Sequence, residues 1–392
     1  MISLQPYVRL FSAVEARRSF LSSVLGRVPI GVTGLAILLL VQAATASFAR
    51  GGAAAACYVA GLALVAPALG RVIDRHGPHR VLLACAVAFP SALALLVVAS
   101  SRVELGWLAL LAAAGAGASF PPISVCMRTY FRHVLADDAL LAAAYSAESV
   151  LIEVIFIFGP LLVALFVSVA SPAMAVWFAA ACGLAGTLVF LRSPALRRWR
   201  IEARTGRSLL GPLADRDFVV VVALVLCFAT AFGFLEIGLT AYAIERANAA
   251  FAGVLLGVMS AGSAAGGLVY GSRAWHIPLA RQFAAALALT AAGLAVLALR
   301  WDPWVLTAWS LVAGIAIAPA LIIQSMLVAK TARTEHSTEA FTWTTSALLA
   351  GVGIGLAAGG AMLERLPASA ALAAGAATSL VAAAGARLLL RR

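Results

Sequence analysis

The chain has 392 residues, 63% of them hydrophobic and 11% charged, with a mean hydropathy of +1.02. So little polar surface cannot cover a water-soluble globule, and the composition describes an integral membrane protein. The formal charge of +12 is accounted for by a rim of arginines facing anionic lipid and requires no nucleic acid.

Runs of about 20 apolar residues, long enough to cross ~30 Å of hydrocarbon as a helix, recur twelve times. They cover 21–46, 52–70, 81–100, 104–127, 139–167, 173–191, 217–244, 251–271, 280–299, 304–328, 338–363 and 368–389. Their continuous apolarity, without alternation of period two, makes them helices and not barrel strands. The first 19 residues hold three arginines and one glutamate. The run that follows is too long for a signal-peptide core and lacks a small-x-small exit, so the first helix is expected to be retained. Arg27 lies seven residues into that run and precedes Pro29. Its long stem favours snorkelling to the surface; the alternative is a charge in the cavity, binding an anion or pairing with a carboxylate.

Between the second and third spans stands the densely charged turn Gly70 to Arg80. Glycines at 70 and 77 permit close backbone approach and an unusual turn, and Asp74 at a helix end suits a cation or the positive N-terminus of another helix. In the fourth span, Pro121-Pro122 after Gly115 and Gly117 must disturb the helix, and interrupted helices tend to line cavities. The fifth span carries Glu148 and Glu153, then Gly159-Pro160, a pair that kinks the helix and lets a neighbour approach. Glu236 lies in the seventh span. Holding an ionised carboxylate at mid-membrane costs about 2.5 kcal/mol or more, so such groups face a cavity, find a partner or take up a proton. Glu148 and Glu153 are five residues apart, roughly 140° around a helix, so both cannot point squarely into one cavity. Depth favours Glu153 as the proton or cation carrier, Glu236 and Glu148 are further candidates for proton or substrate coupling, and Glu148, nearer the cytoplasmic side, is also placed to pair with an arginine.

The eleventh span holds Gly351, Gly355 and Gly359 at GxxxG spacing, a smooth face expected to lie across or alongside the interface between two halves. Glu339, just before it, suits a helix start. Trp107, Trp199, Trp301 and Trp304 fall near span ends and read as interfacial anchors. The five cysteines lie within spans and show no metal or redox spacing. No P-loop, zinc motif or nucleophile elbow is present, so neither an enzyme nor an ATP-driven pump is expected, and no cofactor or metal.

If both termini are cytoplasmic, the inner segments carry 22 of the 28 Lys and Arg residues and the outer turns five. That asymmetry supports an even number of spans and this orientation in a bacterial cytoplasmic membrane. Residues 192–216, with seven arginines, Pro194, Gly206, Gly211 and Pro212, read as a cytoplasmic linker joining six spans (1–191) to six (217–392). Weak repetition between the halves, Gly70-Arg71 after the second span and Gly267 to Arg273 after the eighth, points to two parallel six-helix bundles.

Gly70, Asp74, Arg75, Gly77 and Arg80 follow the order glycine, three residues, aspartate, basic residue, one residue, glycine, then basic residues. On this turn the chain resembles, over essentially its whole length, the major facilitator superfamily. Pro78 and His79 stand where that signature has basic residues. The resemblance implies an all-α membrane protein with twelve transmembrane helices in two pseudo-symmetric bundles. It also implies a latch that braces the halves when the outside is open, with Asp74 meeting Arg128 or the segment Thr338 to Phe341. Gly159-Pro160 is similar to a motif of the drug:proton antiporter branch, although Ile152 and Ile155 replace glycines expected there. The function expected is proton-coupled export of a small organic compound by a monomer in the lipid bilayer. The alternatives are proton-linked uptake, or a non-transporting receptor or assembly protein.

Overall fold

The computed structural model describes residues 4–45, 47–101, 106–197, 199, 211–245, 250–299 and 302–390. Part of the expected linker (198 and 200–210), together with Arg102, Arg246, Arg300, Trp301, Arg391 and Arg392, lies outside the described residues. A short helix, α1 (Gln5–Ser12), precedes the first crossing. That crossing consists of α2 (Val14–Val24), a 3₁₀ turn (Leu25–Arg27) and α3 (Pro29–Thr45); the next two are α4 (Phe48–His76) and α5 (Pro78–Ser100). The fourth is split into α6 (Gly106–Ala118) and α7 (Ile123–Val134), and α8 (Asp138–Val169) and α9 (Pro172–Leu191) complete the first half. After the single turn α10 (Pro194–Arg197) and a 3₁₀ turn (Gly211–Ala214), the second half contains α11 (Arg216–Glu245), α12 (Ala250–Gly271) and α13 (Leu279–Leu297). It ends with the split pair α14 (Pro303–Gly314) and α15 (Ile317–Thr331), then α16 (Ser337–Leu363) and α17 (Ala368–Leu389). The chain adopts the expected architecture: twelve membrane-length apolar helical segments in two pseudo-symmetric six-helix bundles, with no strand among the described residues.

Three crossings are broken, two of them at prolines. Pro29 opens α3, where its missing N–H costs nothing, and Pro121-Pro122 separates α6 from α7. The tenth breaks at Ile315–Ala316, just after Gly314, whose lack of a side chain lets it lie against the Met259 carbonyl of α12. Pro67, Pro90 and Pro160 sit inside helices that remain continuous.

Gly159 packs directly on Gly31 of α3. Gly351 and Gly355 lie against the α11 backbone at Leu226, Thr230 and Gly233, and Gly359 lies against Phe234 and Ile237. Of the two placements expected for the eleventh span's glycine stripe, across the interface is overturned: the stripe closes a contact inside the second half, on a helix that itself borders the interface through α4.

An even number of crossings returns α17 to the side from which α1 starts, here called the terminal face. The halves meet through α4 on α16, α8 on α12 and α15, and α7 on α15 and α16. One apolar cluster, with Ile37, Phe89, Leu93 and Val176, is confined to the far side of the first half. The other fills the second half and continues into the first only near the terminal face, through Ile73, Leu82, Met127, Phe131 and Tyr145.

Candidate functional site

The charged turn becomes a brace because α4 ends beside the start of α16. Asp74 accepts hydrogen bonds from the backbone N–H of Thr338 (Oδ1, 2.9 Å) and Glu339 (Oδ2, 2.8 Å). These are two of the four N–H groups that a helix start leaves without internal partners, and the carboxylate also meets the positive end of the helix dipole. Gly70 makes the approach possible: a side chain there would strike Thr342 and the α16 backbone at Glu339. Gly77 has φ 80° and its N–H closes α4 on Ile73 O at 2.8 Å, after which Pro78 starts α5; an L-residue is strained in that backbone region.

The remaining residues of the turn divide differently from the expected latch. Arg75 and Arg80 are exposed and take no part in the contact, because one step from Asp74 around the helix points Arg75 away from α16. Arg128 does not meet Asp74. Arg71, one residue after Gly70, instead places Nε (2.9 Å) and Nη2 (2.6 Å) on Glu339 Oε1. Glu339 is fully buried, and Gly211, with φ 54°, lies against its carboxylate, leaving no space for a side chain between them. Arg132 of α7 donates to Ser337 Oγ (3.0 Å) and to the Ala332 carbonyl, and Lys330 pairs with Asp138 at 2.6 Å.

A second brace occupies the pseudo-symmetric place, where the end of α12 meets the start of α8. The Tyr7 and Ser146 hydroxyls are 2.6 Å apart. Each also reaches an α12 carbonyl, Leu268 O at 3.0 Å from Tyr7 and Gly267 O at 2.7 Å from Ser146. With one proton apiece, the two hydroxyls can hold two of these three contacts at once. Gly271 makes room for both side chains. Burial raises the Tyr7 pKa above its ordinary value, so the phenol remains a donor at neutral pH.

Arg27 does not snorkel. Its guanidinium is 0% exposed, and Nη1 donates to Glu148 Oε1 at 2.8 Å. The 3₁₀ turn holds it inside: Gly26 packs on Gly186 and Ile123, seating the backbone next to Arg27 against α7 and α9. Arg128 lies within electrostatic reach of both Arg27 and Glu148. Glu153, half-buried near the middle of α8, accepts from Ser263 Oγ of α12 at 2.7 Å, with Ser260 also in hydrogen-bond reach. The half-buried carboxylate of Glu236 makes no hydrogen bond or ion pair among the described residues. Ser346 donates to the Ala63 carbonyl at 2.5 Å. Among the described residues, the hydrogen bonds and ion pairs between the halves lie at the terminal face or towards mid-span, and none joins the far ends of the helices. No group of three His, Cys, Asp or Glu side chains that could hold a metal occurs among them.

Arg71, Glu339, Tyr7, Ser146, Gly211 and Ser263 were not among the residues singled out from sequence as site residues. Arg71 stands inside the signature turn and Glu339 inside the segment expected to receive Asp74, so both had a signal. Tyr7 precedes the first apolar run and had none.

Two helical bundles joined at one face by paired braces, with carboxylates between and within them, define a transporter-type membrane fold. Residues 19–272 match the sequence profile of the Major Facilitator Superfamily, and the chain belongs to that family. No curated protein matches it by sequence. Among solved structures it is similar to the human organic anion transporter MFSD10 (TETRAN), at 18% identity and TM-score 0.73, covering 94% of this chain and 99% of that one. A bacterial homologue of the iron transporter ferroportin, in an outward-facing state, shares 12% identity at TM-score 0.76 over 95% and 98%. The E. coli fucose:proton symporter FucP shares 14% at TM-score 0.75 over 96% and 98%.

Proposed function

We propose that the protein is a secondary active transporter that exports a small organic compound from a bacterial cell by alternating access, coupled to proton entry. Its terminal face is cytoplasmic, it acts as a monomer, and the segments 1–191 and 217–392 move against each other about the linker 192–216. The observation that carries this reading is the confinement of the inter-half bonds, among the described residues, to the terminal face and mid-span. With that face inward, the conformation is outward-facing. The outward-facing state named for the ferroportin homologue agrees with this.

Proton coupling rests on Glu153. Its hydrogen-bond partners lie in the other half, so its charge bears directly on how the halves hold together. An ionised carboxylate accepts strongly from Ser263; a protonated one accepts weakly and no longer carries a charge that is costly at mid-membrane. Export is favoured because the interface offers few polar anchors, which suits a cargo that is apolar over most of its surface.

The test is reconstitution in liposomes with an imposed pH gradient. Solute movement should follow the gradient, and Glu153→Gln should retain exchange down a solute gradient while losing its pH dependence. An unchanged pH profile in that variant removes Glu153 as the proton site. Failure of every solute to move, with no proton flux, removes transport itself.

A further inference from the structure

One buried cluster carries more positive charge than it answers. Glu148 pairs with Arg27, and a second guanidinium, Arg128, lies within electrostatic reach of both. Arg27 and Glu148 are 0% and 1% exposed, so neither is stabilised by bulk water. Arginine keeps its proton at any accessible pH, which means that the surplus cannot be relieved by deprotonation. Asp74 forms no ion pair with either guanidinium; its oxygens point to the N–H groups of Thr338 and Glu339.

The unpaired atoms show what would. Arg27 gives only Nη1 to Glu148, while its Nε and Nη2 are shielded from solvent without a hydrogen-bond partner among the described residues; Arg128 Nε is in the same condition. Nε and Nη2 form the side edge of a guanidinium, one of the two edges that can hold a carboxylate or phosphate through parallel N–H bonds. Glu148 Oε2 is likewise unpartnered, so one Glu148 oxygen is committed and the other is not. The cluster adjoins the moving surfaces: α7 packs on α15 and α16, and α8 on α12 and α15. Separation of the halves at the terminal face would uncover it.

We propose that Arg27 and Arg128 form a binding site for a small anion bearing a carboxylate or phosphate group, with Glu148 as the internal counter-ion that holds Arg27 in place until the anion arrives. This names the cargo class as anionic and depends on the transport reading only for the anion's being carried.

The experiment is a binding measurement on the purified full-length protein at constant ionic strength. The probes are benzoate and inorganic phosphate, with neutral benzamide as the control. Saturable binding of either anion but not of benzamide is expected, and the anion that binds assigns the group. Glu148→Gln removes the internal competitor and should tighten binding about tenfold. Arg128→Gln should weaken it to a similar extent, and Arg128→Lys, which keeps the charge and loses the fork, should weaken it with the fold intact. No saturable binding to folded wild-type protein overturns the site, as does equal affinity in wild-type, Glu148 and Arg128 variants. Anion binding without anion movement in liposomes would keep the site and remove its part in transport. Transport of neutral solutes with no anion binding would do the reverse.

Discussion

Asp74 sets each carboxylate oxygen on a different backbone N–H of α16, so its effect depends on having two acceptors and a negative charge. Asp74→Asn keeps the shape and leaves one acceptor; the amide nitrogen then faces a backbone N–H it cannot accept from. Losing a helix-start acceptor of this kind costs about 1 kcal/mol, or roughly a fivefold shift towards the state in which the terminal face is open. In a cysteine-free background, a thiol introduced by Val150→Cys, beside Gly267 at the interface, should label faster in the Asp74 variant; an unaltered rate would count against the brace. Asp74 was legible because glycine spacing and a helix-end acid carry their own physical signal. The Arg27 pairing was less so: its partner is 121 positions away, and whether an arginine snorkels depends on what packs on the adjacent Gly26. Glu339 looked like an ordinary first-turn acid, since nothing local to it reveals that Arg71 arrives from another helix.

At the scale of helices, prolines were readable as interruptions, but not which of them would interrupt. Pro121-Pro122 breaks a crossing, whereas Pro67, Pro90 and Pro160 stay within continuous helices. A glycine stripe is similar: it states how closely another helix can come and leaves open which helix that is. The stripe on α16 meets α11, so its contribution is to the stability of the second half. Gly355 lies on the Thr230 carbonyl and the Gly233 backbone, while Gly353 on the same helix has nothing within contact distance. Gly355→Leu should therefore force α11 and α16 apart at a cost of about 1–3 kcal/mol, the usual range for overpacking, and lower the melting temperature in detergent. Gly353→Leu should leave it unchanged. Equal behaviour of the two would remove the packing account.

For the whole molecule, the twelve crossings were legible because the bilayer requires every backbone polar group to be satisfied within the protein, and long apolar runs are the visible result. The conformation was not legible in the same way, because under the proposed alternating access one sequence must encode both open states. What the structure adds is that closure of the terminal face is distributed over two related joints, Asp74 and Arg71 on α16, and Tyr7 and Ser146 on α12. The joints use different chemistry, one charged and one made of neutral hydroxyls, and they share no partner. Independent contacts of this kind contribute to an equilibrium nearly additively. Tyr7→Phe should thus move the labelling rate at Val150→Cys in the same direction as Asp74→Asn, by a smaller factor because a neutral hydrogen bond is worth less than a charge-assisted one. The double variant should show the product of the two factors. Added salt should reduce the contribution of the Arg71 and Glu339 pair, which is partly exposed at its arginine end, and leave the Tyr7 contribution alone. If Tyr7→Phe is silent both singly and on the Asp74→Asn background, closure depends on the α4 joint, and the hydroxyl pair is packing without consequence for the equilibrium.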